Sequence, residues 1–206
     1  NNTGSANLSY SFEMPPARHG MQPNLGIQYN SDGGSGLLGE GWDLSVPTIS
    51  VETRWGVPIY DSEKESETYN MDGSMLVMNN GMDNYLAHRE KQYTGRKKDA
   101  IFHPRKEGAF SKIIRKGENP KEYTWEVTDN SGTKYYYGKK NPDGTMSGVL
   151  MGDKGIAEWK LVRMQELHGD WVEYKYEVKE EIVAGTKSKT LLLTQISAGN
   201  SGEPSH

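Results

Sequence analysis

The sequence predicts an all-β protein of many short antiparallel strands, arranged in sandwich-like or shell-forming sheets with negligible helix. Apolar and polar residues alternate with the two-residue period of half-buried strands along much of the chain. Turn motifs separate these runs, and the 206 residues include 24 Gly and 9 Pro. No window sustains an amphipathic helical pattern with caps, so that residues 177–182 could form one helical turn at most.

Strands are expected early in the chain. Apolar and polar side chains alternate over 7–12, and two prolines at 15–16 would end this strand because proline lacks the backbone donor. A second strand covers 25–29, and its glycine-rich loop at 32–36 tolerates positive φ. Another strand starts at Ile49.

The later part of the chain reads as a series of hairpins. An acidic loop at 61–67 precedes a turn at Asp72-Gly73, which predicts a hairpin. Further turns are predicted at 129–132, 141–144 and 168–170, where Asn, Asp, Pro and Gly supply the required backbone angles. The last expected strand covers 190–196.

We interpret residues 1–197 as one β-domain with a possible subdivision near 61–100. Residues 198–206 are expected to be a flexible tail or a linker to downstream domains. The chain does not begin with Met, and no apolar run approaches the roughly 18 residues that a membrane span needs. We therefore expect a piece of a longer protein, with no membrane insertion by this segment.

The composition limits the possible functions. Only 33% of residues are hydrophobic, so the 12 Tyr and 5 Trp are expected to form an aromatic-rich core. The absence of Cys excludes disulfides and thiolate metal sites. A net charge of -4 gives no case for nucleic acid, although residues 89–121 carry 11 basic and 4 acidic residues. Three interpretations of that basic segment are open: a binding face, a solvated face, or a set of cations that complements charges within the molecule.

The candidate motifs for chemistry are weak. GSGLLG at 34–39 matches a dinucleotide fingerprint, but no helix start follows it, which instead favours tight packing around Trp42. The five histidines lack metal-ligand spacing, while Asp129 and Asp143 could accept calcium but are more typical of turns. No nucleophile elbow is present. We therefore predict no catalytic, cofactor-binding or metal residues, and not an enzyme.

Aromatic residues leave a binding alternative open. Tyr135 and Tyr137 point to one face of their strand and Tyr136 to the other, so one of these faces is expected to be core. Trp171 lies opposite the apolar face of its own strand, where it could serve with Trp159 and the tyrosines as a carbohydrate platform. A second sheet layer or a partner domain would cover Trp171 equally well.

Several segments resemble the SpvB family in order along residues 4–200. They are QPNLGIQYNS at 22–31, LLGEGWDL at 37–44, FHPRKEGAF at 102–110, WEVT at 125–128, GTKYYYG at 132–138, WKL at 159–161 and EYKY at 173–176. The family includes the N-terminal part of the Salmonella virulence plasmid B protein and the B component of insecticidal toxin complexes. The departures are Glu166, where Asp is usual, and Asp170, where Asn is usual.

The resemblance implies a non-catalytic structural or shell module of a large secreted bacterial toxin, helping to encapsulate or deliver a cytotoxic segment. The implied partners are a β-propeller and Rhs-type repeats of the same polypeptide, and other toxin-complex subunits. The implied location is extracellular, after a cytoplasmic stage before export. The alternative is a glycan- or cell-surface-binding β-module of a secreted protein.

The residues expected to matter are structural. Trp42 is expected to anchor its glycine turn in the core. The full set of signature residues is Pro23, Gly39, Gly41, Trp42, Trp125, Gly132, Trp159 and Tyr174.

Overall fold

The computed structural model describes residues 7–12, 25–31, 35–36, 39–79, 94–105, 110–183 and 186–201. These residues form eighteen β-strands and no helix, which confirms the predicted all-β class. A helix that could span a membrane is not found in these ranges. The strands are β1 (Asn7–Phe12), β2 (Leu25–Asn30), β3 (Ser35–Gly36), β4 (Gly39–Glu40), β5 (Trp42–Ser45), β6 (Thr48–Val51), β7 (Tyr69–Met71), β8 (Ser74–Met78), β9 (Ala100–Pro104), β10 (Phe110–Lys116), β11 (Thr124–Asp129), β12 (Lys134–Tyr137), β13 (Lys139–Lys140), β14 (Met146–Ser147), β15 (Val149–Met151), β16 (Ile156–Gln165), β17 (Asp170–Val183) and β18 (Thr186–Asn200).

The main sheet closes on itself as an eight-stranded antiparallel barrel. Its order is β12-β11-β10-β9-β8-β7-β6-β16, and β16 then pairs with β12 to complete the ring. Lys160 of β16 aligns with Thr48 of β6, whereas Leu161 aligns with Tyr137 of β12. The ten residues of β16 also pair with β15 and β17, so this strand has two neighbours along each edge.

Aromatic side chains fill the barrel. The Tyr69 ring lies 4.8 Å from Trp125 and 5.8 Å from Trp159, while Phe102 lies 5.1 Å from Trp125. All four are fully buried, and most meet edge-on or tilted, as aromatic quadrupoles prefer. The indole N–H of Trp159 donates to the carbonyl of Tyr123 at 2.6 Å. The expectation of an aromatic-rich core is confirmed.

Smaller units surround the barrel. β1, β2 and β5 form a separate three-stranded sheet, and the short pairs β3–β4 and β13–β14 are hairpins. β17 and β18 form a long ribbon that joins the barrel where residues 171–173 pair with β16. The predicted turns at 72–73, 129–132, 141–144 and 168–170 all lie between paired strands.

The ribbon includes two segments for which the sequence allowed another conformation. Residues 177–182 are strand rather than a helical turn, because each pairs with a residue of β18 between 187 and 192. The last strand extends to Asn200, whose side-chain amide donates to Asp170, so three residues of the expected 198–206 tail belong to the ribbon. The stretch 202–206 lies outside the described residues.

Candidate functional site

The segment 52–68 connects β6 to β7, and we call it the strap. The Glu52 N–H donates to the Thr68 carbonyl at 2.7 Å and so closes its base. The Tyr60 hydroxyl donates to the Ile156 carbonyl at 3.1 Å. The Tyr60 ring lies so close to Gly155 that a Cβ there would approach it to 2.4 Å. The strap is thus fixed to the barrel at several points.

A buried ion pair holds the inner end of the strap. Arg115 of β10 is 0% exposed and donates through Nη1 and Nη2 to the two carboxylate oxygens of Glu65, at 2.8 and 2.6 Å. Nη1 also contacts the Tyr69 hydroxyl at 3.2 Å, and the guanidinium lies 4.0 Å from the centre of the Tyr123 ring. This two-point geometry, together with the ring contact, is what makes a buried arginine tolerable.

A second arginine extends the same network towards the surface. Arg96 donates to Glu67 at 2.9 Å and to the Tyr123 hydroxyl at 3.2 Å. Its Nε donates to the Asp61 carbonyl at 2.9 Å. Arg96 and Arg115 both come from the basic segment 89–121, so the intramolecular interpretation is correct for these two cations.

The ion pairs set the charge state of the network. Burial alone would raise the pKa of Glu65, but the hydrogen bonds and positive charge of Arg115 outweigh it and hold that pKa below its usual range. Burial would lower the pKa of Arg115, but the surrounding phenol and carboxylate groups raise it. Burial raises the pKa of Tyr69. The network is therefore charged on both sides at neutral pH, which is the arrangement of a structural clamp, although the buried Nε of Arg115 has no hydrogen-bond partner among the described residues.

The outer end of the strap presents apolar side chains to solvent. Trp55, Val57 and Ile59 are 66%, 91% and 60% exposed, and we call residues 53–59 the strap tip. Arg54 fixes the start of the tip, because its N–H donates to Glu52 at 3.0 Å. Adjacent exposed apolar groups on a fixed loop are typical of a contact surface.

The three-stranded sheet and the ribbon expose further apolar groups. Leu8 and Tyr10 are exposed on β1, opposite Tyr29 and Ile27 of β2 in register. The far part of the ribbon exposes Ile182, and also Val178, on the face that carries Leu191 and Leu193. Exposed apolar groups therefore occur on the strap tip, the three-stranded sheet and the ribbon, and the described residues expose Ile101, Met151 and Leu167 elsewhere.

A groove lies on the outer face of the barrel. Its volume is about 720 Å³, and it runs between the β12–β14 region and β17, with β16 as its floor. Its charged lining residues are Lys139, Lys140, Arg163, Glu173 and Lys175. The volume falls within the roughly 300–1,000 Å³ range of small-molecule sites.

The carboxylates considered for calcium serve turns instead. One oxygen of Asp129 accepts from the Ser131 and Thr133 N–H groups at 2.8 and 3.0 Å, and the other accepts from the Tyr135 hydroxyl at 3.0 Å. Asp143 accepts from the Thr145 N–H at 2.9 Å. Within the ranges that the structure describes, no group of three or more His, Cys, Asp or Glu side chains could hold a metal ion.

The predicted signature residues divide into two groups. Trp125, Trp159 and Tyr174 are buried in the core. Gly39, Gly41 and Gly132 have positive φ angles of 121°, 78° and 87°, which favour glycine.

Trp42 and Pro23 belong to neither group. Trp42 does not lie in the barrel core. It is half-buried in β5 of the three-stranded sheet, where its ring lies 5.0 Å from that of Tyr29. Pro23 lies outside the described residues.

The environment of Trp171 differs from that of an exposed binding platform. Trp171 is half-buried, with the Arg163 guanidinium 5.1 Å above its ring and Gly199 packed against it, so its ring is not a free binding surface.

The Glu65–Arg115 clamp was not predicted. Its signal is the strand period, which places Arg115 on the same face as the buried Ile113.

Comparisons with known proteins identify a matching family and solved structures with a similar fold. The family model described as SpvB, Salmonella virulence plasmid 65kDa B protein, matches residues 1–199. The N-terminal domain of the effector protein SpvB from Salmonella typhimurium strain LT2 is 20% identical, with a TM-score of 0.67, over 94% of this chain and 64% of that one. No curated protein matches the sequence.

Toxin complexes provide further structural neighbours. A chain of the TcdB2-TccC3-Cdc42 crystal structure is 24% identical, with a TM-score of 0.62, over 91% of this chain and 9% of that one. A chain of the Photorhabdus luminescens Tc holotoxin pore is 25% identical, with a TM-score of 0.61, over 86% of this chain and 8% of that one. This chain therefore spans under two thirds of the first neighbour and less than a tenth of these two toxin chains.

Proposed function

The chain belongs to the SpvB family and is a toxin-associated module, and from that premise we propose that it is a non-catalytic structural part of a large secreted bacterial toxin. In this role it packs against other domains and helps to wall the space that holds a cytotoxic segment. The proposed neighbours are a β-propeller and Rhs-type repeats of the same polypeptide, together with other toxin-complex subunits. Residues 1–197 would act as one unit within that assembly, made in the cytoplasm and then exported.

The observation that carries the proposal is the strap tip. The tip holds Trp55, Val57 and Ile59 in solvent, although the strap behind it is clamped by a buried ion pair. A mobile loop could hide apolar groups by collapsing, but a loop fixed at Glu52 and Glu65 cannot do so readily. Fixed, exposed apolar groups are expected where another protein surface covers them.

The interior of the barrel supports a structural role. Trp125, Trp159, Tyr69 and Phe102 fill it, so its interior is a packed core rather than a binding chamber. Contacts to other domains would therefore be made by the outer surface.

The test uses the absence of cysteine from the chain. A Val57→Cys variant is made in this chain and in the polypeptide of its complete open reading frame. The rate of thiol modification at that position is followed by mass spectrometry. We expect modification at least about tenfold slower in the longer polypeptide, because a neighbouring domain covers the tip. Lys121→Cys, at an exposed polar position, is the matched control.

Equal rates for Val57→Cys in the two polypeptides would contradict a covered tip. An open reading frame without propeller or Rhs-type repeats after residue 206 would contradict the wider proposal of a toxin wall.

A further inference from the structure

The groove above β16 presents side chains to a ligand, but few of its backbone groups are free to form hydrogen bonds. Arg163 aligns with Tyr136 of β12 on one side and with Glu173 of β17 on the other. The backbone groups of the floor therefore belong to the two ladders. A polypeptide that binds by adding a strand needs a free edge, which this part of the floor lacks.

The lining is basic in an acidic protein. Four cations and one carboxylate line the groove, although the whole chain carries a net charge of -4. The carboxylate of Glu173 is paired with Arg163 at 2.6 Å, and Lys140 pairs with Glu122 at 3.2 Å. Among the described residues, no carboxylate forms an ion pair with Lys139 or with the exposed Lys175. These two lysines lie on the opposite walls, β13 and β17.

The neutral lining adds groups of a different kind. The hydroxyl of Thr124 and the amide of Gln165 can both donate and accept hydrogen bonds. Tyr136 is half-buried and supplies an aromatic ring with a polar tip. The complementary ligand therefore carries negative charge, hydroxyl groups and an apolar face, and sugar rings bearing carboxylate or sulfate combine all three.

We propose that this groove binds an acidic oligosaccharide. Lys139 and Lys175 contact its anionic groups from the two walls, and Tyr136 packs against the face of a sugar ring. Gln165 and Thr124 hydrogen-bond to its hydroxyl groups. An acidic peptide satisfies the lysines but offers no ring face to Tyr136, so the lining favours the saccharide.

Isothermal titration calorimetry with the full chain tests the proposal. The probes are a galacturonate hexamer, a sulfated hexasaccharide, a neutral maltohexaose and a hexaglutamate peptide. We expect measurable binding of the galacturonate or the sulfated probe, and the stronger of the two identifies the preferred anionic group. Maltohexaose and hexaglutamate are expected to bind at least about tenfold more weakly, a difference of roughly 1.4 kcal/mol.

Variants separate specific binding from general attraction between charges. Lys139→Glu/Lys175→Glu is expected to weaken binding at least tenfold. Lys154→Glu/Lys187→Glu changes the chain charge by the same amount at exposed positions outside the groove, and it should change affinity less than twofold. Tyr136→Ala keeps the charge and should weaken binding about fivefold.

Three results would overturn the proposal. They are the absence of binding by both acidic saccharides, an equal loss in the two double variants, and tighter binding of hexaglutamate than of either saccharide. Circular dichroism of each variant checks that the β-sheet fold is retained.

Discussion

Replacement of Arg115 by Met is the sharpest test of the clamp that holds the strap. Arg115 and Glu65 are both buried, and the substitution leaves a buried carboxylate without its two strongest donors. Glu65 would keep the Lys97 N–H at 2.9 Å and the more distant Arg96 at 3.7 Å. Breaking one side of a buried ion pair costs about 3–5 kcal/mol of the free energy of unfolding. We expect the lower part of that range, because the two remaining contacts stay.

The pH dependence of this variant has a defined sign. In the native protein the pKa of Glu65 is lower than in the unfolded chain, where it is about 4.3. The ionised carboxylate therefore stabilises the fold above the unfolded pKa, and this stabilisation is lost as pH falls through the pKa of the folded state. Without Arg115, burial dominates and raises the folded pKa. The carboxylate then destabilises the fold as pH rises through that value. The difference between variant and native protein should therefore be largest near neutral pH and should shrink as pH falls towards 4.

The assay is urea unfolding at several pH values, followed by tryptophan fluorescence, to which the buried Trp125 and Trp159 contribute. A double variant, Arg115→Met with Glu65→Leu, removes both charges and should recover much of the loss. A loss below about 1 kcal/mol for the single variant, or a loss that does not change with pH, would refute the clamp.

The remaining predictions concern packing. Trp159→Ala, at a fully buried position, should lower the free energy of unfolding by about 3–5 kcal/mol. Trp42→Ala, at a half-buried position, should lower it by about 1–2 kcal/mol. Equal losses in urea unfolding would contradict the assignment of Trp42 to the outer sheet. Gly148→Ala should lower the melting temperature, because φ is +66° and the added Cβ would lie 2.2 Å from Val162; an unchanged melting temperature would contradict that close approach. Asp129→Ala should cost about 1–2 kcal/mol, since the turn donors lose their acceptor, and Asn at this position should restore part of the loss in the same unfolding assay.

Local features of this fold were predictable because their chemistry is local. The turn at 129–132 needs only a side-chain acceptor at its start and a glycine near its end, and both are visible in the sequence. The alternation along β11 likewise places Trp125 and Val127 on the buried face. The hairpins therefore follow from neighbouring residues.

The closure of the barrel and the site features depend on residues that are far apart. Nothing near β6 indicates that it pairs with β16, and a sheet with these strands could equally well have been one layer of a sandwich. Trp42 carries an aromatic signal that does not distinguish a barrel core from a smaller sheet. Glu65 is a charged residue in an acidic segment, so its sequence context does not indicate burial. Its burial is explained by the inward position of Arg115. Recognition of the family, by contrast, rests on an ordered set of motifs and did not require the fold.

The closing strand also has a consequence for synthesis of the chain. Thr48 and Lys160 are aligned partners 112 residues apart, so β6 leaves the ribosome long before β16 exists. At roughly 5–20 residues per second, the interval is on the order of 5–20 s. During that time β6 is an open sheet edge, as is β12 once it has been made, and such edges can pair with another nascent chain. Translation speed and chaperone supply between these two strands should therefore affect the soluble yield more than changes after β16.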